Sequence, residues 1–218
     1  MASQRGVLIV FEGLDRSGKS TQCSMLVDKL QQIGRRVEHL RFPNRSTPIG
    51  QMINNYLAGQ SQTEDHVIHL LFSANRWESA AEIESLIASG KDVVIDRYYY
   101  SGCVYTASKQ ITGLELAWCR QPEVGLPRPD LCLFLDVSSE VAESRGGFGT
   151  ERYEKREIQE RVRALFGELM QHPDEGADIV VVDADQAMSD VHRHVWDLTS
   201  RALEAAKGGL PLRKVQPW

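Results

Sequence analysis

The run Gly13-Leu14-Asp15-Arg16-Ser17-Gly18-Lys19-Ser20 has the spacing G-x-x-x-x-G-K-[ST], directly after an apolar stretch and directly before a segment of helical period. That spacing is suited to holding phosphate. Glycines let consecutive backbone N–H groups turn toward an anion, and the N-terminus of the following helix adds its dipole. Lys19 can then reach the outer phosphates, and the Ser20 hydroxyl can ligate magnesium. A glycine turn with no ligand would satisfy the same spacing, but a strand before and a helix behind are the context that phosphate binding needs.

The same segment carries an acid and a second cation. Asp15 can accept hydrogen bonds, and Arg16 can reach charge that builds up on a transferring phosphoryl, because a guanidinium stays charged and spans two oxygens. Farther on, the apolar run 93–95 ends at Asp96-Arg97, and Phe72 and Arg76 lie four residues apart on a predicted helix. One of that last pair can stack on a base while the other donates to its edge. His66 and His69 could also share a helix face, but no third ligand accompanies them and no metal site is assigned there. Cys23, Cys103, Cys119 and Cys132 are widely spaced, form no C-x-x-C pair and read as reduced thiols. A guanine-selecting N-K-x-D sequence is absent, as are tandem domains and a signature of ring assembly, which leaves a small kinase as the economical reading.

These groups need a frame, and the hydrophobic pattern supplies one. Apolar runs at 7–11, 37–42, 93–95, 131–135 and 179–182 are the near-continuous kind that parallel strands buried on both faces require. Helical period follows at 19–33, with Leu26, Leu30 and Ile33 on one face and Gly34 as the stop. Further helices are predicted near 66–89, 101–120, 138–144, 155–171 and 187–206. The expected fold is α/β, a five-stranded parallel sheet with helices on both faces and ligands at the carboxyl ends of the strands. The Gly146-Gly147-Phe148-Gly149 stretch, flanked by Arg145 and Arg152, predicts a mobile charged flap. Residues 125–129 read as a rigid linker, no repeat is present, and the tail 207–218 carries no readable signal.

With 218 residues, 42% hydrophobic and 25% charged, the chain is expected to form one domain over 1–218. A net charge of -5 argues against a nucleic-acid binder that must neutralise many phosphates. The early apolar run is too short for a membrane span and meets Glu12, so neither a bilayer helix nor a secretory signal is expected. The sequence predicts an intracellular, cytoplasmic protein.

Four blocks in order go beyond a generic phosphate loop: F-E-G-L-D-R-S-G-K-S-T at 11–21, R-F-P-N-R-S-T at 41–47, L-L-F-S-A-N-R-W-E at 70–78 and D-R-Y at 96–98. With the flap sequence R-G-G-F-G-T-E-R-Y-E at 145–154, the chain resembles the thymidylate kinase family, the eukaryotic type in particular, from about Gly6 through Trp196. The resemblance implies a three-layer P-loop kinase fold with a short lid near 138–160. It implies transfer of the γ-phosphoryl of ATP to dTMP, giving dTDP and ADP for dTTP synthesis, with Mg2+ and a homodimeric protein. By the same resemblance, Lys19, Arg16, Asp15 and Arg97 form the catalytic set.

On the ATP side it implies Gly13, Arg16, Ser17, Gly18, Lys19, Ser20 and Thr21, with Arg145 and, in the loop after the last strand, Gln186. On the dTMP side, Asp15 accepts from the sugar 3′-hydroxyl and Arg45 and Arg97 clamp the phosphate. Phe72 and Arg76 meet the thymine, and Phe42, Ser101 and Gln159 match other pocket positions. Tyr105 packs near the sugar C2′, where it disfavours a ribose hydroxyl. Ser20 and Asp96 hold the metal. Tyr98-Tyr99-Tyr100 and Lys155-Arg156-Glu157 depart from the family pattern. A different P-loop kinase, acting on a deoxynucleoside or another nucleotide, is the alternative; a neutral nucleoside needs no pair of clamping arginines.

Overall fold

The computed structural model describes residues 5–145, 152–153 and 155–218. Strands β1 (Leu8–Gly13), β2 (Val37–Arg41), β3 (Asp92–Asp96), β4 (Leu131–Asp136) and β5 (Ile179–Asp183) form one sheet in the order β2-β3-β1-β4-β5. All four pairings are parallel. The central strands β1 and β3 are buried along their whole length, whereas the edge strands β2 and β5 are only partly covered. This is why the central runs are uniformly apolar.

Alternate side chains of β1 point to opposite faces and build two separate cores. Leu8 and Val10 pack with residues of α3 (Asp65–Ala88), α4 (Tyr99–Ala107), α5 (Leu116–Arg120) and α7 (Arg156–Gln171). Val7, Ile9 and Phe11 pack with α1 (Lys19–Gln32) and α9 (Met188–Ala206). The result is three layers, helix, sheet, helix. Phe11 pairs with Asp96 across β1 and β3, so the phosphate loop and the end of β3 emerge side by side.

The structure corrects several sequence expectations. Pro48–Leu57 is a helix, α2, that hydrophobic period alone did not reveal; Thr47 caps it by accepting from the Gly50 N–H at 3.0 Å, and Pro48 opens it. The helix expected over 101–120 is broken into α4 and α5. Gln110 at φ 58° and Gly113 at φ 89° turn the chain between them. Ile33 is not on the buried face of α1: it is the cap residue and 49% exposed. Short α6 (Ser139–Ser144) and α8 (Pro173–Gly176) flank α7. The 146–149 stretch of the expected flap lies outside the described residues.

The tail is packed, although its sequence carries no signal. Val215 exchanges backbone hydrogen bonds with Gly125 and Leu126 and is buried. Trp218 stacks on His172 with ring centroids 4.2 Å apart and donates from Nε1 to Glu175 at 3.2 Å. Glu175 is fully buried, and it also accepts from Arg120 Nε at 2.6 Å and from the Tyr99 hydroxyl at 2.7 Å. Arg120 in turn donates to the Gln216 carbonyl at 2.9 Å. The tail thereby closes over a buried ion pair that touches α4. Arg120→Ala strands Glu175 as an uncompensated buried charge and is expected to cost about 3–5 kcal/mol. Urea unfolding measures this, and a loss no larger than the ~0.5 kcal/mol of an ordinary surface substitution would show that the pair supports nothing.

Candidate active site

A cleft of about 500 Å³ opens at the carboxyl ends of the strands. Its floor is the turn 13–18 and the start of α1. Gly13 has φ 142°, and a Cβ there would stand 2.6 Å from the Leu135 carbonyl oxygen, so only glycine lets β1 enter the turn beside β4. Ser17 is buried under the turn, and neither it nor Gly13 lines the cavity. Gly18, Lys19, Ser20 and Thr21 line it. Lys19 Nζ donates to the carbonyls of Leu14 at 2.5 Å and Gly13 at 3.1 Å and to Ser17 Oγ at 3.2 Å. Burial, with Arg97 adding to it, pulls the Lys19 ammonium down to about 7 against the opposing pull of Asp15, Asp96 and Glu12.

Asp15 is the hub of the wall. Its carboxylate accepts from Arg97 Nη2 and from Gln159 Nε2, the latter at 2.7 Å, while its own N–H donates to Gln159 Oε1 at 3.1 Å. Burial would raise its pKa, but Arg97, Lys19, Tyr105 and Gln159 together hold it below the usual carboxylate value. Arg97 also donates from Nη1 to the Gly13 carbonyl at 3.2 Å and to Ser101 Oγ at 3.0 Å, and its guanidinium lies 5.3 Å from the centre of the Tyr105 ring. Burial works against the charge on Arg97, yet Tyr105, Asp15, Glu12 and Asp96 outweigh it and the group stays cationic. Arg16 and Arg97 both have φ 66°, a left-handed backbone that costs a non-glycine residue about 1 kcal/mol or more.

Ser20 Oγ donates to Asp96 Oδ2 at 2.5 Å, while Asp96 Oδ1 is buried without a hydrogen-bond partner. Arg145 reaches from the end of α6 and donates to the carbonyls of Arg16 at 2.8 Å and Ala184 at 2.9 Å. It thus ties the phosphate loop to the loop after β5. Arg152 instead lies over the Tyr56 ring, 4.1 Å from its centre, and bonds the Tyr56 carbonyl. At the far end of the cleft are Phe42, Phe72, Arg76, Ser101 and Tyr105, with Arg45 on the exposed rim and bonded through Nη1 to Asn54 at 2.9 Å.

Of the predicted residues, the structure brings Asp15, Arg16, Gly18, Lys19, Ser20, Thr21, Phe42, Arg45, Phe72, Arg76, Asp96, Arg97, Ser101, Tyr105 and Arg145 to one cavity. Gln159 supports Asp15 from behind without lining it. Gln186 does not line the cavity; its amide donates to Asp183 at 2.9 Å. Sequence reasoning passed over Glu12, whose carboxylate accepts from the N–H groups of Tyr98 at 2.8 Å and Ser101 at 3.1 Å. It is completely buried, and an acid closing an apolar strand was the available signal. Glu123, paired with Arg76, and the cavity-lining Arg41 and Tyr153 were missed as well.

A family model described as thymidylate kinase matches residues 11–195. The chain belongs to the thymidylate kinase family. Members are ATP-dependent nucleoside-monophosphate kinases, and the chain is one of them. It is 46% identical to the zebrafish (Danio rerio) thymidylate kinase over 95% of this chain and 96% of that one. It is 47% identical to the human (Homo sapiens) thymidylate kinase, over 94% of this chain and 95% of the relative. A solved thymidylate kinase structure from Candida albicans superposes with a TM-score of 0.83 at 39% identity, covering 92% of this chain and 94% of the other.

The depressed Lys19 has a consequence for ATP binding. Beside a polyphosphate its charged form is favoured again, so nucleotide binding above pH 7 must draw a proton from solvent. Affinity for ATP is therefore expected to fall by up to about tenfold per pH unit above 7 and to change little below it. Calorimetry in buffers of different ionisation enthalpy should register uptake approaching one proton at pH 8. Equal heats in all buffers at that pH would contradict it.

Proposed function

We propose that the chain performs its family's reaction, transfer of the γ-phosphoryl of ATP to dTMP with formation of dTDP and ADP, by gripping donor and acceptor phosphates from opposite sides of one cleft. The observation that carries this reading is that Arg45 and Arg97 line the same cavity as Lys19. In it the phosphate loop, from Gly13 through Thr21, holds the donor's phosphates. Arg45 and Arg97 hold the phosphate of dTMP so that its oxygen lies in line with the γ-phosphorus. Arg16 stabilises charge on the moving phosphoryl, with Arg145 beside it. Asp15 has a carboxylate oxygen to offer the 3′-hydroxyl, and its ionisation is secured by Arg97 and Lys19. Phe72, Phe42, Arg76, Ser101 and Tyr105 form the thymine and deoxyribose end, with Gln159 behind them.

The Ser20 hydroxyl and the unpartnered Asp96 Oδ1 are hard oxygen donors at the mouth of the loop, which suits Mg2+. When bound, the ion would neutralise charge on the phosphate oxygens. We also infer one domain over 1–218 with a lid near 138–160, since Arg145 already reaches Arg16 from the end of α6. A homodimer is favoured by the exposed apolar stripe Val67, Leu70 and Trp77 on α3, spaced to lie along one helix face. Among the described residues no helix is long and apolar enough to cross a membrane. The four cysteines are buried and unpaired, which agrees with a cytoplasmic site of action.

A coupled ADP-release assay tests the acceptor: turnover is expected with dTMP and not with thymidine, and the reverse result would replace this reading with a deoxynucleoside kinase. Lys19→Met is expected to lower kcat by about a thousandfold or more while cooperative thermal unfolding is retained. A variant that keeps its kcat would remove Lys19 from the chemistry.

A further inference from the structure

Arg76 is the guanidinium at the base end of the cleft, and two residues without a role in the reading above decide where it can point. Glu123, in the 3-10 turn Gln121–Glu123, is fully buried. It takes Arg76 through both Nε, at 2.9 Å, and Nη2, at 2.5 Å. A bidentate clamp of this kind fixes the plane of the guanidinium as well as its position. It also occupies Nε and Nη2, so that Nη1 is the nitrogen Glu123 does not take. Arg76 is itself only 2% exposed, so it has little room to relax out of the pair.

The other side of the guanidinium is set by α4. A Cβ at Gly102 would stand 2.6 Å from Arg76 Nη2, 2.9 Å from Nη1 and 3.0 Å from Cζ. Gly102 lies inside a helix, where its backbone angles are open to any residue and where glycine weakens the element. The lack of a side chain is therefore what the site uses. Arg76, Gly102, Ser101 and Phe72 all line the same cavity.

We propose that Glu123 and Gly102 set the base specificity of the acceptor site: Glu123 clamps Arg76 and Gly102 admits it against α4, so that a fixed donor faces the base. A base with an exocyclic carbonyl accepts from that donor, whereas one with an exocyclic amino group brings donor against donor and leaves both unpaired. Glu123 also cancels the charge on Arg76, so the donor is offered without a net buried charge beside an uncharged ring. This inference rests on the reading of this end of the cleft as the base pocket.

The test is steady-state kinetics with dTMP and dCMP for the parent, E123Q, G102A, R76K and the G102A/R76K double variant, with thermal unfolding of each. E123Q is expected to raise KM for dTMP at least about tenfold, to keep kcat within about threefold, and to shrink the dTMP-over-dCMP preference by a similar factor. G102A should act in the same direction, and most of its effect should vanish in the R76K background, because lysine lacks the fork that the added methyl displaces. If E123Q proves unfolded, the G102A cycle carries the test. Fully additive costs in that cycle, or losses equal for both nucleotides, would overturn the proposal. If R76K leaves KM for dTMP unchanged, the base-pocket reading fails and this inference with it. If R76K raises KM while E123Q and G102A do not, only this inference falls.

Discussion

The cleft depends on a carboxylate that never touches it. Glu12, buried at the end of β1, accepts the N–H groups of Tyr98 and Ser101 and the Ser101 hydroxyl. Helix α4 has no side-chain cap of its own at Tyr98, so the strand supplies one from a distance. Burial raises the pKa of Glu12, and Arg97, Ser101 and Tyr98 oppose that rise. The exchange joins β1, the end of β3 and the start of α4 into one unit. Arg97 lies within that unit, its N–H bonded to the Phe11 carbonyl at 2.9 Å. Its left-handed backbone persists because the residues on either side are held from elsewhere.

Charge in the cleft is distributed unequally, and the chemistry follows from the inequality. Burial disfavours the ions of Lys19, Asp15 and Arg97, but the three differ in what compensates them. Arg97 spreads its charge over a planar fork and faces Asp15, Glu12 and Asp96, and it stays cationic. Asp15 keeps its ionised form because Arg97 and Lys19 both face it. Lys19, a compact charge among carbonyls and next to Arg97, is the member that yields. Asp15, Asp96 and Glu12 oppose that loss of charge without preventing it, and a polyphosphate beside Lys19 would add to their pull.

The parts of this architecture written in short stretches of sequence were legible. The phosphate loop announces itself because strand, glycine turn, lysine and helix are consecutive, and four apolar runs with the mixed segment 37–42 coincide with the five strands. What was missed depends on partners far along the chain. Glu123 lies 47 residues from Arg76 and Glu12 lies 86 from Tyr98, so neither pairing leaves a local pattern. Helix α2 is short and escaped notice despite its threonine cap and opening proline. The α4–α5 break begins at Gln110, a residue with no particular preference for a left-handed turn, ahead of Gly113. Tail residues such as Val215 and Trp218 are ordered by what lies beneath them, which composition cannot reveal.

Among the described residues, three non-glycine positions have positive φ, and two of them, Arg16 and Arg97, line the cleft. Glycine would relieve the strain at either site but would remove the guanidinium, so a stable backbone and a competent side chain conflict at the same position. The two arginines resolve that conflict differently. Arg97 is fixed by the buried framework around Glu12. Arg16 is braced from outside, by Arg145 donating to its carbonyl. Arg145 bonds Ala184 as well, so the strained turn that carries Arg16 is linked to the loop after β5. Arg16 therefore owes its backbone support to a contact from beyond β4, whereas Arg97 is held by the buried framework between β1, β3 and α4.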